Sequence, residues 1–195
     1  MDGFAQHCPA SFQDKLAVEG QMPETAIDRL FLDYSVSKLE ELTARIETCL
    51  ASLTDEQIWL RHKENENAVG NLVLHLCGNV RQWIIANIGG QPDHRVRAAE
   101  FAARIGPSNL ELQTRLRFTV DEALHIIRGL TSAQLSGRYT IQGYDVSVLE
   151  AIYHVVEHFS MHAGQIIFIT KMLTEGDLGF YKHLESAAPH SQWTP

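Results

Sequence analysis

Four long stretches of helical period, with nothing longer than a hairpin between them to suggest a sheet, constrain this chain more than any other feature. From Ala26 to Leu53, apolar Leu30, Tyr34, Leu39, Leu42, Ile46, Cys49 and Leu53 recur at spacings of three to five. A second stretch, Ala68–Ile88, opens behind Asn67 as N-cap and closes at Gly89-Gly90 and Pro92. A third spans Ser108–Leu130, with Glu111 in capping-box register with Ser108. The fourth spans Val146–Leu173. Between them, Thr54-Asp55-Glu56-Gln57 predicts a short capped turn. The charged segment Gln91–Gly106 predicts a loop, and Arg138–Tyr144 a short hairpin or an extended loop. At a rise of ~1.5 Å per residue each long helix is about 30–40 Å in length. The pattern predicts an all-α fold: a four-helix bundle with long inter-helix connections.

Composition narrows the function classes. The formal net charge is −8, and the lysines and arginines are scattered rather than striped, which argues against nucleic acid as a partner. The first twenty residues have no apolar run of signal-peptide length. The most apolar stretch, Ile166–Leu173, is interrupted by Thr170 and Lys171 and is too short to cross a membrane. Cys8, Cys49 and Cys77 form no CxxC pair, and so sparse a set suits a reducing compartment, the cytoplasm. Cys77 is two residues from His75, about 200° around a helix, and faces away from it.

The chemistry concentrates in the fourth helix, where His154-Val-Val-Glu-His158-Phe-Ser-Met-His162 places histidines at i, i+4 and i+8. Neighbours in this trio are about 6 Å apart along the axis, so two of them reach one metal ion. All three do not: His154 and His162 are about 12 Å apart, against metal–nitrogen bonds of about 2.0–2.1 Å. The helical seam Ala151, Val155, His158, His162, Gln165, Ile169 favours His158 and His162 as the pair. A tight site needs a third ligand, and the apolar second helix offers His75. An isolated histidine on such a face is more often a satisfied core residue. The i, i+4 pair also has a metal-free reading, hydrogen bonded to carboxylates such as Glu157 or Glu150.

Two segments carry a family likeness. Ile152-Tyr-His-Val-Val-Glu-His158-Phe-Ser-Met-His162-Ala-Gly-Gln165-Ile resembles the last-helix signature of the DinB-like, or YfiT-like, superfamily. Asn71-Leu-Val-Leu-His75-Leu-Cys-Gly-Asn79-Val-Arg-Gln-Trp83 resembles its second-helix signature. The end of the likeness, Asp177-Leu-Gly-Phe-Tyr181, is similar to a subgroup of uncharacterised members. It divides the chain into an N-terminal extension (1–25), a DinB-like four-helix bundle (26–184) and a C-terminal tail (185–195). The resemblance implies a homodimer and a three-histidine metal site, with ligands mapping onto His75, His158 and His162. It also implies metal-dependent transfer of low-molecular-weight thiols such as bacillithiol or mycothiol, with metal-dependent hydrolysis as the alternative activity.

Three imidazoles and no evident fourth ligand describe an open site, whereas structural zinc sites close with four protein ligands. A cation there lowers the pKa of a bound thiol or water, which serves transferase and hydrolase alike. A non-catalytic metal-binding module is the remaining alternative. One divalent ion is expected, zinc first and nickel or iron next, with a small-molecule substrate. Asn79, His154, Glu157 and Gln165 are the candidates to support the ligands. Arg81, Trp83 and Tyr144 are candidates for the mouth of the site. No residue is singled out as a catalytic base.

Overall fold

The computed structural model describes residues 24–185. Cys8 with the rest of 1–23, and the tail at 186–195, lie outside the described residues. The described residues are mostly helical, with one small two-stranded sheet among them. Helix α1 (Glu24–Ala51) leads through α2 (Asp55–Ile58) to α3 (Val69–Val80), which runs without a break into a π-helical segment (Arg81–Ile88). Then come α4 (Arg97–Ala102), α5 (Asn109–Gly129), a 3-10 turn (Ser132–Gln134), the hairpin β1 (Arg138–Ile141) and β2 (Tyr144–Ser147), α6 (Val148–Leu173) and α7 (Lys182–Glu185).

Local chemistry explains most of the boundaries. Thr54, Ser108 and Ser147 each accept from the backbone N–H three residues on, and Gln57, Glu111 and Glu150 return the bond to the cap. Between β1 and β2 the chain reverses through Gln142 and Gly143, both at positive φ (54° and 84°), a turn whose twist matches that of the strands.

Helix α1 packs against α5 and α6, and α3 packs against α4, α5 and α6. Phe159, Ile46, Leu76, Leu116 and Ile84 are among the fully buried side chains at their centre. Full burial of such a side chain contributes about 1.5–3 kcal/mol. Among the described residues, no helix is long and apolar enough to cross a membrane.

Three local expectations are corrected. The apolar stripe of α1 does not begin at Leu30 and Tyr34, which are 58% and 56% exposed; it runs through Leu32, Val36, Leu39, Leu42 and Ile46. Leu30 is nine residues from Leu39, about two and a half turns, and so points to the opposite side. Asn67 does not cap α3. The N-cap is Ala68, whose N–H donates to the side chain of Asn71 at 3.1 Å. Finally, the presumed loop Gln91–Gly106 contains α4. Asn71 Nδ2 fastens this helix onto α3 by donating to the carbonyls of Glu100 (2.8 Å) and Ala103 (2.9 Å).

Candidate metal centre

His75 stands on α3, with His158 and His162 one turn apart on α6, and the packing of α3 on α6 brings the three rings together. His158 Nε2 lies 3.0 Å from His75 Nε2 and 3.2 Å from His162 Nε2. Among the described residues, these three form a group whose ligand atoms all lie within 4.8 Å of one another. Nitrogens bound tetrahedrally to one ion at about 2.0–2.1 Å are about 3.4 Å apart, so the spacing suits a shared cation.

The outer nitrogens decide what those inner nitrogens carry. His75 Nδ1 lies 2.8 Å from Glu100 Oε2 and 3.1 Å from Arg95 Nη2. Because Nη2 already donates to the same carboxylate oxygen at 3.0 Å and a carboxylate only accepts, the shorter contact places the hydrogen on Nδ1, directed to Glu100. His162 Nδ1 lies 2.7 Å from Gln165 Oε1 and donates likewise. Both Nε2 atoms are therefore bare and turned toward His158 Nε2. That atom has at most one hydrogen and cannot satisfy both. A cation among the three accepts every lone pair at once, and on this ground the residues fit a metal.

Their electrostatics agree. Burial, and then the neighbouring His162 and His75, push the His158 pKa down to about 3. Burial also lowers His162 and His154, partly offset by Gln165 and by Glu157 respectively. Neutral rings offer the lone pairs a metal requires.

Glu100 and Arg95, which sequence reasoning missed, complete the support of His75. Arg95 donates to Glu100 through Nε (2.8 Å) and Nη2 (3.0 Å), and its side chain is only 3% exposed. Burial pushes the Glu100 carboxyl up, but hydrogen bonds from His75 and Arg95 outweigh it, and the net shift is downward. Gly78, across from this pair, leaves the necessary room: a Cβ there would sit 2.0 Å from Glu100 Oε1. The available signal was the run Ala98-Ala99-Glu100-Phe101-Ala102-Ala103, rich in helix formers inside a segment read as loop.

The structure sorts the supporting candidates. Gln165 touches a ligand directly. His154 stacks beside His158, with centroids 5.5 Å apart, and against Trp83 at 4.0 Å. Asn79 reaches His154, with Nδ2 3.4 Å from Nε2. Glu157 is exposed and has no hydrogen-bond or ion-pair partner among the described residues. Glu150 is taken up in the cap of α6 and by Arg138. Neither therefore supplies the carboxylate of the metal-free reading. Of the residues assigned to the mouth, Trp83 is buried, Tyr144 is exposed at the hairpin turn, and Arg81 lies 3.7 Å from Glu122.

Residues 26–184 match the model of DUF1572, a family described as a protein of unknown function. The chain belongs to DUF1572. The match covers both histidine-bearing helices and the Glu100 helix, so the three-histidine group of this DUF1572 chain lies wholly within the matched residues. A comparison with curated proteins gives no match.

Proposed function

We propose that this DUF1572 protein is a metal-dependent enzyme that transfers a low-molecular-weight thiol to an electrophilic small molecule. His75, His158 and His162 would hold one divalent ion, zinc by preference and otherwise nickel or iron. The observation that carries the reading is the convergence of three Nε2 atoms, two of them bare because Glu100 and Gln165 hold the hydrogens on the far side. When bound, the cation supplies a Lewis acid that lowers the pKa of a thiol at its open position.

The protein's own side chains do the rest. The Glu100–Arg95 pair holds the His75 tautomer and makes the ring a better donor, and Gln165 does the same for His162 more weakly, being neutral. Among the described residues no cysteine or carboxylate joins the three-histidine group, which leaves positions for a ligand. A cavity of about 420 Å³ opens beside Gln165, walled by Leu72, Phe168, Ile169 and Met172, and gives room for an apolar electrophile. The resemblance to the DinB-like superfamily supports thiol transfer, and it reads the long helices as a four-helix bundle that pairs into a homodimer. Sparse cysteines support a cytoplasmic site of action.

The test is consumption of a thiol panel (cysteine, glutathione, bacillithiol, mycothiol) by zinc-loaded protein with monochlorobimane as electrophile. Turnover that stops with a chelator and in His162→Ala supports the reading. Turnover that survives both, or hydrolysis of an ester panel without any thiol transfer, contradicts it.

A further inference from the structure

Three buried polar atoms beside the centre have no partner among the described residues: Asn79 Oδ1, Trp83 Nε1 and His158 Nδ1. Native proteins leave few such groups, and several at one place point to a bound molecule. All three belong to side chains ranged round one imidazole, that of His154. The Trp83 ring lies on it with centroids 4.0 Å apart and an interplanar angle of 32°. The His158 ring stacks beside it at 5.5 Å, and Asn79 Nδ2 is 3.4 Å from its Nε2. Asn79 and Trp83 are each only 4% exposed.

The backbone is shaped to this gathering. In an unbroken α-helix Trp83 would be turned about 80° from the direction of His75, two helical repeats earlier. The chain passes into π-helix at Arg81, and its wider turn reduces the rotation per residue and brings Trp83 back toward the face of His75 and Asn79. π-helical insertions in α-helices recur at functional sites.

The unpaired atoms have a definite polarity. Asn79 turns its NH2 toward His154 and leaves an acceptor. Trp83 Nε1–H is a donor. His158, bound to a metal through Nε2, carries its hydrogen on Nδ1 and is a second donor. We propose that Asn79, Trp83 and His158 Nδ1, gathered round His154, form a subsite for an amide group of the ligand. The amide N–H donates to Asn79 Oδ1, and the amide carbonyl accepts from Trp83 Nε1–H. A carboxylate would oppose Asn79 Oδ1 lone pair to lone pair, and an ester would leave that acceptor empty. This inference rests on the metal-centre reading above and adds the class of ligand.

The experiment uses full-length protein loaded with cobalt(II) in place of zinc, titrated by visible absorption with two thiols of equal length. N-acetylcysteamine carries an amide, and 2-mercaptoethyl acetate carries an ester in the same place. The amide probe is expected to bind about tenfold more tightly, the worth of one buried hydrogen bond. Asn79→Leu should abolish that preference, and Trp83→Phe should weaken both probes, with cobalt affinity unchanged in each. Equal binding of the two probes by the wild-type protein, as ordered water alone would give, overturns the subsite and leaves the metal centre standing. So does a preference that survives Asn79→Leu, or binding of neither probe. Failure to take up cobalt overturns the metal-centre reading, and the subsite with it.

Discussion

His75 Nδ1 and Glu100 Oε2 lie 2.8 Å apart, with side chains only 5% and 10% exposed. The bond joins the metal-facing helix α3 to the short helix α4 and assigns the tautomer of His75. Replacing Glu100 with Gln keeps an acceptor oxygen but removes the charge. Zinc affinity, measured by competition with a chromophoric chelator, is expected to fall about 10–100-fold. An unchanged affinity would mean that Glu100 serves packing alone.

Gly78→Ala tests the same relay from the other side. The new Cβ would meet Glu100 Oε1 at 2.0 Å and Arg95 Nε at 2.9 Å, so the carboxylate must move. The variant is expected to lose about 1–3 kcal/mol of stability, as overpacked sites do, and zinc affinity along with it. Urea unfolding and chelator competition on one sample read both. Lost stability with full affinity would contradict the coupling.

The helices were legible because their signals are local: a Ser or Thr cap, a Glu or Gln three residues on, a Gly-Gly stop. His158 and His162 were legible for the same reason, since one turn of α6 sets their spacing. Glu100 was not, because what fixes it is remote. It is held by Arg95 and by Asn71, whose amide ties the α4 backbone down, and charged residues at 91–106 read locally as a solvated loop. The phase of α1 misled for a related reason. Leu30 and Tyr34 keep helical spacing with each other, and only packing against α5 and α6 distinguishes the stripe led by Leu32.

Acid should destabilise the metal-free protein. With burial and the adjacent rings holding His158 down to about 3, the unfolded chain takes up a proton below about 6.5 that the folded chain refuses. Stability therefore falls as pH drops from 6.5 toward 3. Glu100 acts in the same direction: the bonds from His75 and Arg95 hold its folded pKa below the ordinary glutamate value of about 4.3, so its contribution is present above that pH and lost beneath it. Urea midpoints at pH 7.5, 6, 5 and 4 should decline steadily, and less so between 6.5 and 5 in His158→Asn. A midpoint that rises on acidification would contradict the assignment.

Cys49 and Cys77 should be inert. Both are buried, and burial raises both thiols, Cys77 to about 11. In a Cys8→Ser variant, folded protein is expected to show no fast reaction with Ellman's reagent, and unfolded protein should show two reactive thiols. Rapid labelling of the folded variant would contradict the described packing.

The most direct measurement is the metal content of untagged protein purified without a metal-affinity column, set beside zinc titration of the wild-type protein and His162→Ala. The account predicts close to one equivalent of a divalent transition ion per chain, and a large loss of zinc affinity in the variant. Protein that carries no metal, and binds zinc equally well with and without His162, would contradict it.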